Sequence, residues 1–296
     1  MVYINMIMRK LIPLLLSLVV LATTVAYKPV ANQYTPDFSS FVTIGDSYTD
    51  NDWGWPASMY GADPFEALFD KASAPSDVLS NFAMGGTTTQ DLPQMINSYH
   101  SAVANGSVQR ATIFGLEIGT NDMFDILNQI KGVVAGQDPA ADALVDGILD
   151  RIKISTKHLL STHPQAFVIL WNLETARCWP AFPNITNSQW NNIDTHYQRI
   201  NQAIARAPQY SSRILVLNMY QVFGQLCTQP TIIRGVELKR PPQWDGWDYI
   251  CADPYHPTAV SNALIANQMI SDINFTTGAN IPLYTEGELA ALARIP

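Results

Sequence analysis

The chain has 296 residues, 47% of them hydrophobic and 14% charged, with 25 acidic against 17 basic side chains and a formal net charge of −8. That length suits one large α/β domain with an ample core, and no Gly/Ser-rich linker, charge block or internal repeat divides it. An acidic chain repels polyanions, which excludes nucleic acid as a partner and disfavours anionic membrane surfaces, leaving neutral ligands such as sugars as the better match.

Arg9 and Lys10 precede an apolar run from Leu11 to Ala22 and a small-residue stretch ending at Ala26. This is the anatomy of a secretory signal peptide, with cleavage expected after Ala26. The run is shorter than the roughly 20 apolar residues of a membrane span. Residues 1–26 are therefore expected to be a leader and 27–296 a single secreted, extracellular domain without stable membrane association.

The first strand is predicted over 40–46 (SFVTIGD) and runs straight into GDSYTD, which sets Ser47 on a tight turn at its carboxyl end. Gly, Asp and Ser are ordinary turn formers, so this motif alone is weak. Trp53 and Trp55 follow closely, and a helix is predicted over 56–70. A second strand over 78–83 ends in NFAMGGTTT, whose paired glycines leave the Gly86 amide uncovered by side chains. A bare backbone N–H is what a developing oxyanion needs, although a simple tight turn would use the same residues. After a helix over 89–104, a third strand over 111–119 leads into GTND. It delivers the side-chain amide of Asn121, a neutral donor that can meet negative charge without titrating; the competing role for Asn121 or Asp122 is a helix cap, with Asp122 the better candidate for it.

Helix 138–162, strand 166–173, helix 188–207 and strand 213–219 continue the alternation. Trp244, Trp247 and Tyr249 then precede DPYHP, where Asp253 lies three residues before His256 between two prolines. This stiff segment allows the carboxylate to hold the imidazole through Nδ1 and leave Nε2 free as a base. His100, His158, His163 and His196 lie in helices or a turn and are expected to be surface or packing residues. A last helix over 257–273 carries Val260, Leu264, Ile265, Met269 and Ile273 at spacings of three and four. Five near-continuous apolar strands alternating with helices predict a three-layer α/β/α domain, an open parallel five-stranded sheet covered on both faces. The polar motifs gather at the carboxyl ends of its strands, where ligands bind such sheets.

Each block is common, but the ordered set of Ser, Gly, Asn and a late Asp/His pair, spanning about residues 40–273, resembles the SGNH hydrolase superfamily of GDSL esterases and lipases. The resemblance implies a flavodoxin-like fold and a secreted serine esterase working by two-step acyl transfer. It implies Ser47 as nucleophile, His256 as general base oriented by Asp253, and an oxyanion hole made of the Ser47 and Gly86 amides with the Asn121 side chain. No cofactor and no metal are expected, since no cluster has ligand spacing, and the G-x-S-x-G elbow of α/β-hydrolases is absent.

The chain looks like the acetyl esterases that act on plant-polysaccharide fragments, with a small ester or acetylated oligosaccharide as substrate and Trp53, Trp55 and Trp247 as candidate contacts. A lipase, phospholipase or thioesterase with the same triad is the alternative; a binding protein without turnover is a further one, disfavoured by the intact set. Of the three cysteines, Cys227 and Cys251 are the expected disulfide pair because both fall in late loops. Three N-glycosylation triplets, at Asn105, Asn184 and Asn274, suit a secreted glycoprotein but occur at about the frequency this composition gives by chance. Oligomeric state leaves no trace in the sequence.

Overall fold

The computed structural model describes residues 36–50, 60–72 and 79–296. The expected leader, residues 1–26, lies outside them, as do Trp53 and Trp55.

A parallel sheet is built from β1 (Phe41–Gly45), β2 (Leu79–Asn81), β3 (Ile113–Glu117), β4 (Phe167–Trp171) and β5 (Ile214–Leu217), in the order β2-β1-β3-β4-β5. All five predicted strands are present, each trimmed by one or two residues at either end. β1, β3 and β4 are buried along their whole length, as strands covered on both faces must be.

The helices are α1 (Pro64–Lys71), α2 (Leu92–Ala104), α3 (Thr120–Asp125), α4 (Leu127–Ile130), α5 (Pro139–Thr162), α6 (Asn187–Ile204), α7 (Met219–Thr228), α8 (Ala259–Thr277) and α9 (Glu286–Leu292). α1 packs on α8, whereas α5 packs on both α2 and α6. With right-handed crossovers, a chain that steps from β1 outward to β2 and then back to β3 lays these two groups on opposite faces.

Among the described residues α1 begins at Pro64, because Asp63 caps it, accepting from the Phe65 and Glu66 N–H groups at 2.6 and 3.0 Å; residues 56–59 of the predicted helix lie outside them. Glu66 returns a bond to the Asp63 N–H at 3.2 Å, completing a capping box. Late in the chain come two small ribbons, β6 (Ile232–Ile233) with β7 (Val236–Glu237), and β8 (Lys239–Trp244) with β9 (Tyr249–Cys251). β9 delivers the chain to Asp253 and then α8, whose first residues are buried.

The reversal of winding falls between β1 and β3, so the chain parts at their carboxyl ends and leaves a crevice there. Ser47 leaves β1 and Asn121 leaves β3 at that place.

Candidate active site

Gly45 ends β1 where no side chain fits: a Cβ there would lie 2.3 Å from the Glu117 carbonyl oxygen and 2.4 Å from Thr49 Oγ1. The chain turns next to β3 and presents Ser47. From the other side of the crevice, the segment after β9 brings Asp253 and His256. His256 Nε2 lies 2.9 Å from Ser47 Oγ, and His256 Nδ1 lies 2.7 Å from Asp253 Oδ2. The other carboxylate oxygen, Oδ1, accepts from the Tyr255 and His256 N–H groups at 2.6 and 2.7 Å, so the Asp253 side chain fixes both the backbone of the turn and the ring. Ala252 N donates to His256 O at 2.8 Å, closing the loop at its base.

Burial pushes the Asp253 carboxyl up, but the bond and charge of His256 and the two backbone N–H groups outweigh it and hold the group below its ordinary value. It is thus a carboxylate suited to orient an imidazole and to stabilise imidazolium. Tyr60, unremarked in the sequence, donates to Asp253 Oδ2 at 3.3 Å. Tyr48 OH donates to Tyr255 O at 2.8 Å, tying the turn of the serine to the turn of the histidine.

Gly86 has φ +77°, in the left-handed region that favours glycine, and a Cβ there would meet nothing within 4 Å. Among the described residues neither the Gly86 nor the Ser47 N–H has an acceptor. Asn121 also lines the cavity, but its amide is engaged: Nδ2 donates to Thr87 O at 2.9 Å and to Asp46 Oδ2 at 3.2 Å. The loops of Gly86 and Asn121 are tied by Asp122, which accepts from Thr89 N at 2.7 Å and Thr89 Oγ1 at 2.6 Å and pairs with Arg151 at 3.2 Å. Asp122 is structural in that sense, but it does not cap α3 as expected, because the N-cap is Gly119 and Asp122 lies within the helix.

Beneath Ser47 lie the buried carboxyls Asp46, Glu117 and Glu174. Burial, and next the Glu174 carboxylate, push Asp46 up to about 7. Burial, and next Asp46, push Glu117 well up, while burial raises Glu174.

The cavity at Ser47 has a volume of about 350 Å³. Besides Asn121, Gly86 and His256, it is lined by Tyr48, Thr120, Phe124, Asp125 and Tyr255. Phe124, Tyr255 and Phe182 form one aromatic cluster, with ring centroids 4.9 to 6.2 Å apart. These aromatics, not the expected tryptophan, stand at the site. Trp247 is not among the lining residues; its ring is covered by the Arg294 guanidinium, 3.5 Å from the centroid. Phe124 sits on α3 three residues after Asn121, a position whose meaning depends on how that helix turns.

The expected Cys227–Cys251 disulfide is absent: Cys178, Cys227 and Cys251 are free thiols, and Cys227 lines one cavity with Cys178. Cys178 comes from the loop after β4, a neighbour that chain order does not reveal. The other histidines serve packing, His163 against Tyr99 OH at 3.0 Å and His196 against Val133 O at 3.0 Å. Among the described residues no group of His, Cys, Asp or Glu can hold a metal ion.

The profile of the GDSL-like Lipase/Acylhydrolase family matches residues 43–264. The chain belongs to that family. This GDSL-like protein is accordingly a carboxylic ester hydrolase. Its fold recurs in solved structures of low sequence identity. A candidate GDSL-like lipase from Parabacteroides merdae is 15% identical with a TM-score of 0.53, covering 82% of this chain and 99% of its own. A catalytic mutant of an acetylxylan esterase from Geobacillus stearothermophilus is 15% identical with a TM-score of 0.50, covering 84% and 100%. Phospholipase A1 from Streptomyces albidoflavus is 18% identical with a TM-score of 0.48, covering 81% and 99%. A search of curated protein sequences gives no match.

Proposed function

We propose that this GDSL-like hydrolase is a secreted carbohydrate acetyl esterase with Ser47 as nucleophile. The observation that carries the chemistry is the unbroken line from Ser47 Oγ to His256 Nε2 at 2.9 Å and from Nδ1 to Asp253 at 2.7 Å. His256 takes the serine proton as Oγ attacks the ester carbonyl, and Asp253 stabilises the imidazolium that results. The tetrahedral oxyanion rests on the unpaired Ser47 and Gly86 amides, with Asn121 joining as its longer bond to Asp46 is shared. His256 then protonates the leaving alcohol and activates water, which releases the acid and restores Ser47.

The substrate reading rests on the size and walls of the cavity. About 350 Å³ shared between acyl group and leaving group suits a short acyl chain. The Phe124–Phe182–Tyr255 cluster offers flat faces for a sugar ring beside the polar Thr120 and Asp125. Secretion is supported by the basic, apolar and small-residue order of residues 1–26.

The test is hydrolysis of p-nitrophenyl acetate, butyrate and palmitate and of acetylated xylo-oligosaccharides. Acetate is expected to be cleaved fastest and palmitate barely, with acetate released from the oligosaccharides; Ser47→Ala is expected to lose at least about 10³-fold in kcat. Rates that climb with chain length would replace this substrate with a lipid ester. Full activity in the alanine variant would remove Ser47 from the mechanism. Expression with the leader is expected to place a chain beginning at Tyr27 in the medium; retention of Met1 would refute the secretory reading.

A further inference from the structure

The cysteines form a second chemical feature that ester hydrolysis does not use. Cys178 lies in a short 3-10 turn, Ala176–Cys178, after β4, and Cys227 lies in the last turn of α7. Cys178 Sγ donates to the Phe223 carbonyl at 3.3 Å, and Phe223 is the residue one helical turn before Cys227. That carbonyl is where the Cys227 N–H of α7 points, so the Cys178 sulfur sits against the helical turn that carries Cys227. Both line one open cavity of about 510 Å³ together with Arg177, Asp194, Gln225 and Thr228. Cys178 is nearly fully buried, whereas Cys227 is half-buried and reaches that cavity. Cys251, by contrast, is wholly buried.

We propose that Cys178 and Cys227 are a thiol pair that oxidises to a disulfide joining the β4 exit loop to α7, with Cys251 left as a thiol. Oxidised glutathione, or another small disulfide, is the oxidant. The Cys227 thiolate, reached through the cavity, attacks one of its sulfurs, forming a mixed disulfide and releasing one glutathione thiolate. The Cys178 thiolate then attacks the Cys227 sulfur and expels the second. The two protein thiols lose two electrons and two protons, and the two glutathione thiolates take up the protons. Cys178 is buried whereas Cys227 is half-buried at the cavity, so Cys227 is the thiol that meets the oxidant first.

The bond would brace the site. The β4 exit loop carries Trp179, whose ring lies 5.7 Å from Tyr48, the neighbour of Ser47. Phe223 of α7 packs on the same tyrosine at 5.9 Å and on Trp179 at 5.1 Å. The loop also reaches the histidine turn, Ala181 N donating to Pro254 O at 3.3 Å. A crosslink between these two elements fixes the wall on which the serine turn leans.

The experiment incubates the reduced full-length protein with oxidised glutathione, then counts thiols in denaturant and maps linked peptides by mass spectrometry. The thiol count is expected to fall from three to one, with a Cys178–Cys227 peptide that dithiothreitol separates. The Tm is expected to rise by on the order of 10 °C, since the bond closes a long loop in the unfolded chain. Cys227→Ser is expected to keep esterase activity when reduced and to show no such rise. Three thiols after prolonged oxidation, or a linked peptide that contains Cys251, would overturn the assignment. Neither result bears on whether Ser47 is the nucleophile.

Discussion

The side-chain amide of Asn121 has two hydrogens and an acceptor for each, Thr87 O at 2.9 Å and Asp46 Oδ2 at 3.2 Å. An oxyanion in the cavity therefore has to compete with Asp46 for one of them. Because burial raises Asp46 to about 7, this group is neutral for part of the time near neutral pH, and a neutral carboxyl holds an amide hydrogen less firmly than a carboxylate. The exchange is thus cheap where the charge on substrate develops. Asn121→Ala is expected to lower kcat by about 10² to 10³ with KM nearly unchanged, the pattern of a donor engaged in the transition state. A steady-state comparison on p-nitrophenyl acetate checks it; a change confined to KM would make Asn121 a ground-state contact. Ser47, Gly86, Asn121, Asp253 and His256 were legible in the sequence because each sits in a short local motif. Asp46 and Tyr60 were not, since their meaning lies in partners 75 and 193 residues away. Phe124 and Tyr255 carried no signal either: an aromatic beside a polar motif reads equally as core.

The loops that present Gly86 and Asn121 belong to different strands and hold their spacing through Asp122. This carboxylate is buried, while its partner Arg151 on α5 is about a third exposed, so the ion pair itself contributes modestly. The hydrogen bonds from Thr89 matter more, because losing the acceptor leaves the buried Thr89 N–H unpaired, at a cost of about 1–3 kcal/mol, and leaves the Thr89 hydroxyl only the bond it accepts from Arg151 Nε at 2.6 Å. Asp122→Ala is expected to lower the Tm by several degrees and kcat about 10-fold or more, with Asp122→Asn recovering part of both. Thermal melts and kcat on the same preparations decide it. Unchanged kcat beside a lowered Tm would show that the loops hold their geometry without the tie. At this scale the strands were read well because continuous apolar runs of five residues have few other fates in a chain that alternates with amphipathic segments. The start of α1 was missed although Asp63, Pro64 and Glu66 spell a capping box; the apolar pattern upstream masked it. α3, α4 and the two-residue strands are too short for any periodicity to show, and α7 follows β5 so directly that its start was read as strand.

Taken over the whole molecule, the buried carboxyls under the serine turn and the groups around them give stability opposite dependences on pH. Asp46, Glu117 and Glu174 are raised in the fold. From about pH 4 upward the folded chain thus binds more protons than the unfolded one, and stability falls as pH rises, through about 7 for Asp46 and beyond it for the more strongly raised Glu117. His163, buried against Tyr99, is lowered to about 4 by burial and next by Arg110; the folded chain then binds fewer protons than the unfolded one, so stability is lost as pH falls from about 6.5 towards 4. Asp253, also lowered, adds loss in stronger acid. Above about pH 6.5 the histidine contribution is complete and only the carboxyl cluster still responds, so the Tm is expected to be highest in mild acid and to decline by several degrees towards about pH 8. Glu117→Gln, which keeps an acceptor for the Asp46 N–H but cannot ionise, is expected to flatten that decline. Melts at half-unit pH steps measure it, and a Tm that climbs steadily from about pH 6 to 8 in the native protein would show that the cluster is ionised already at the acid end.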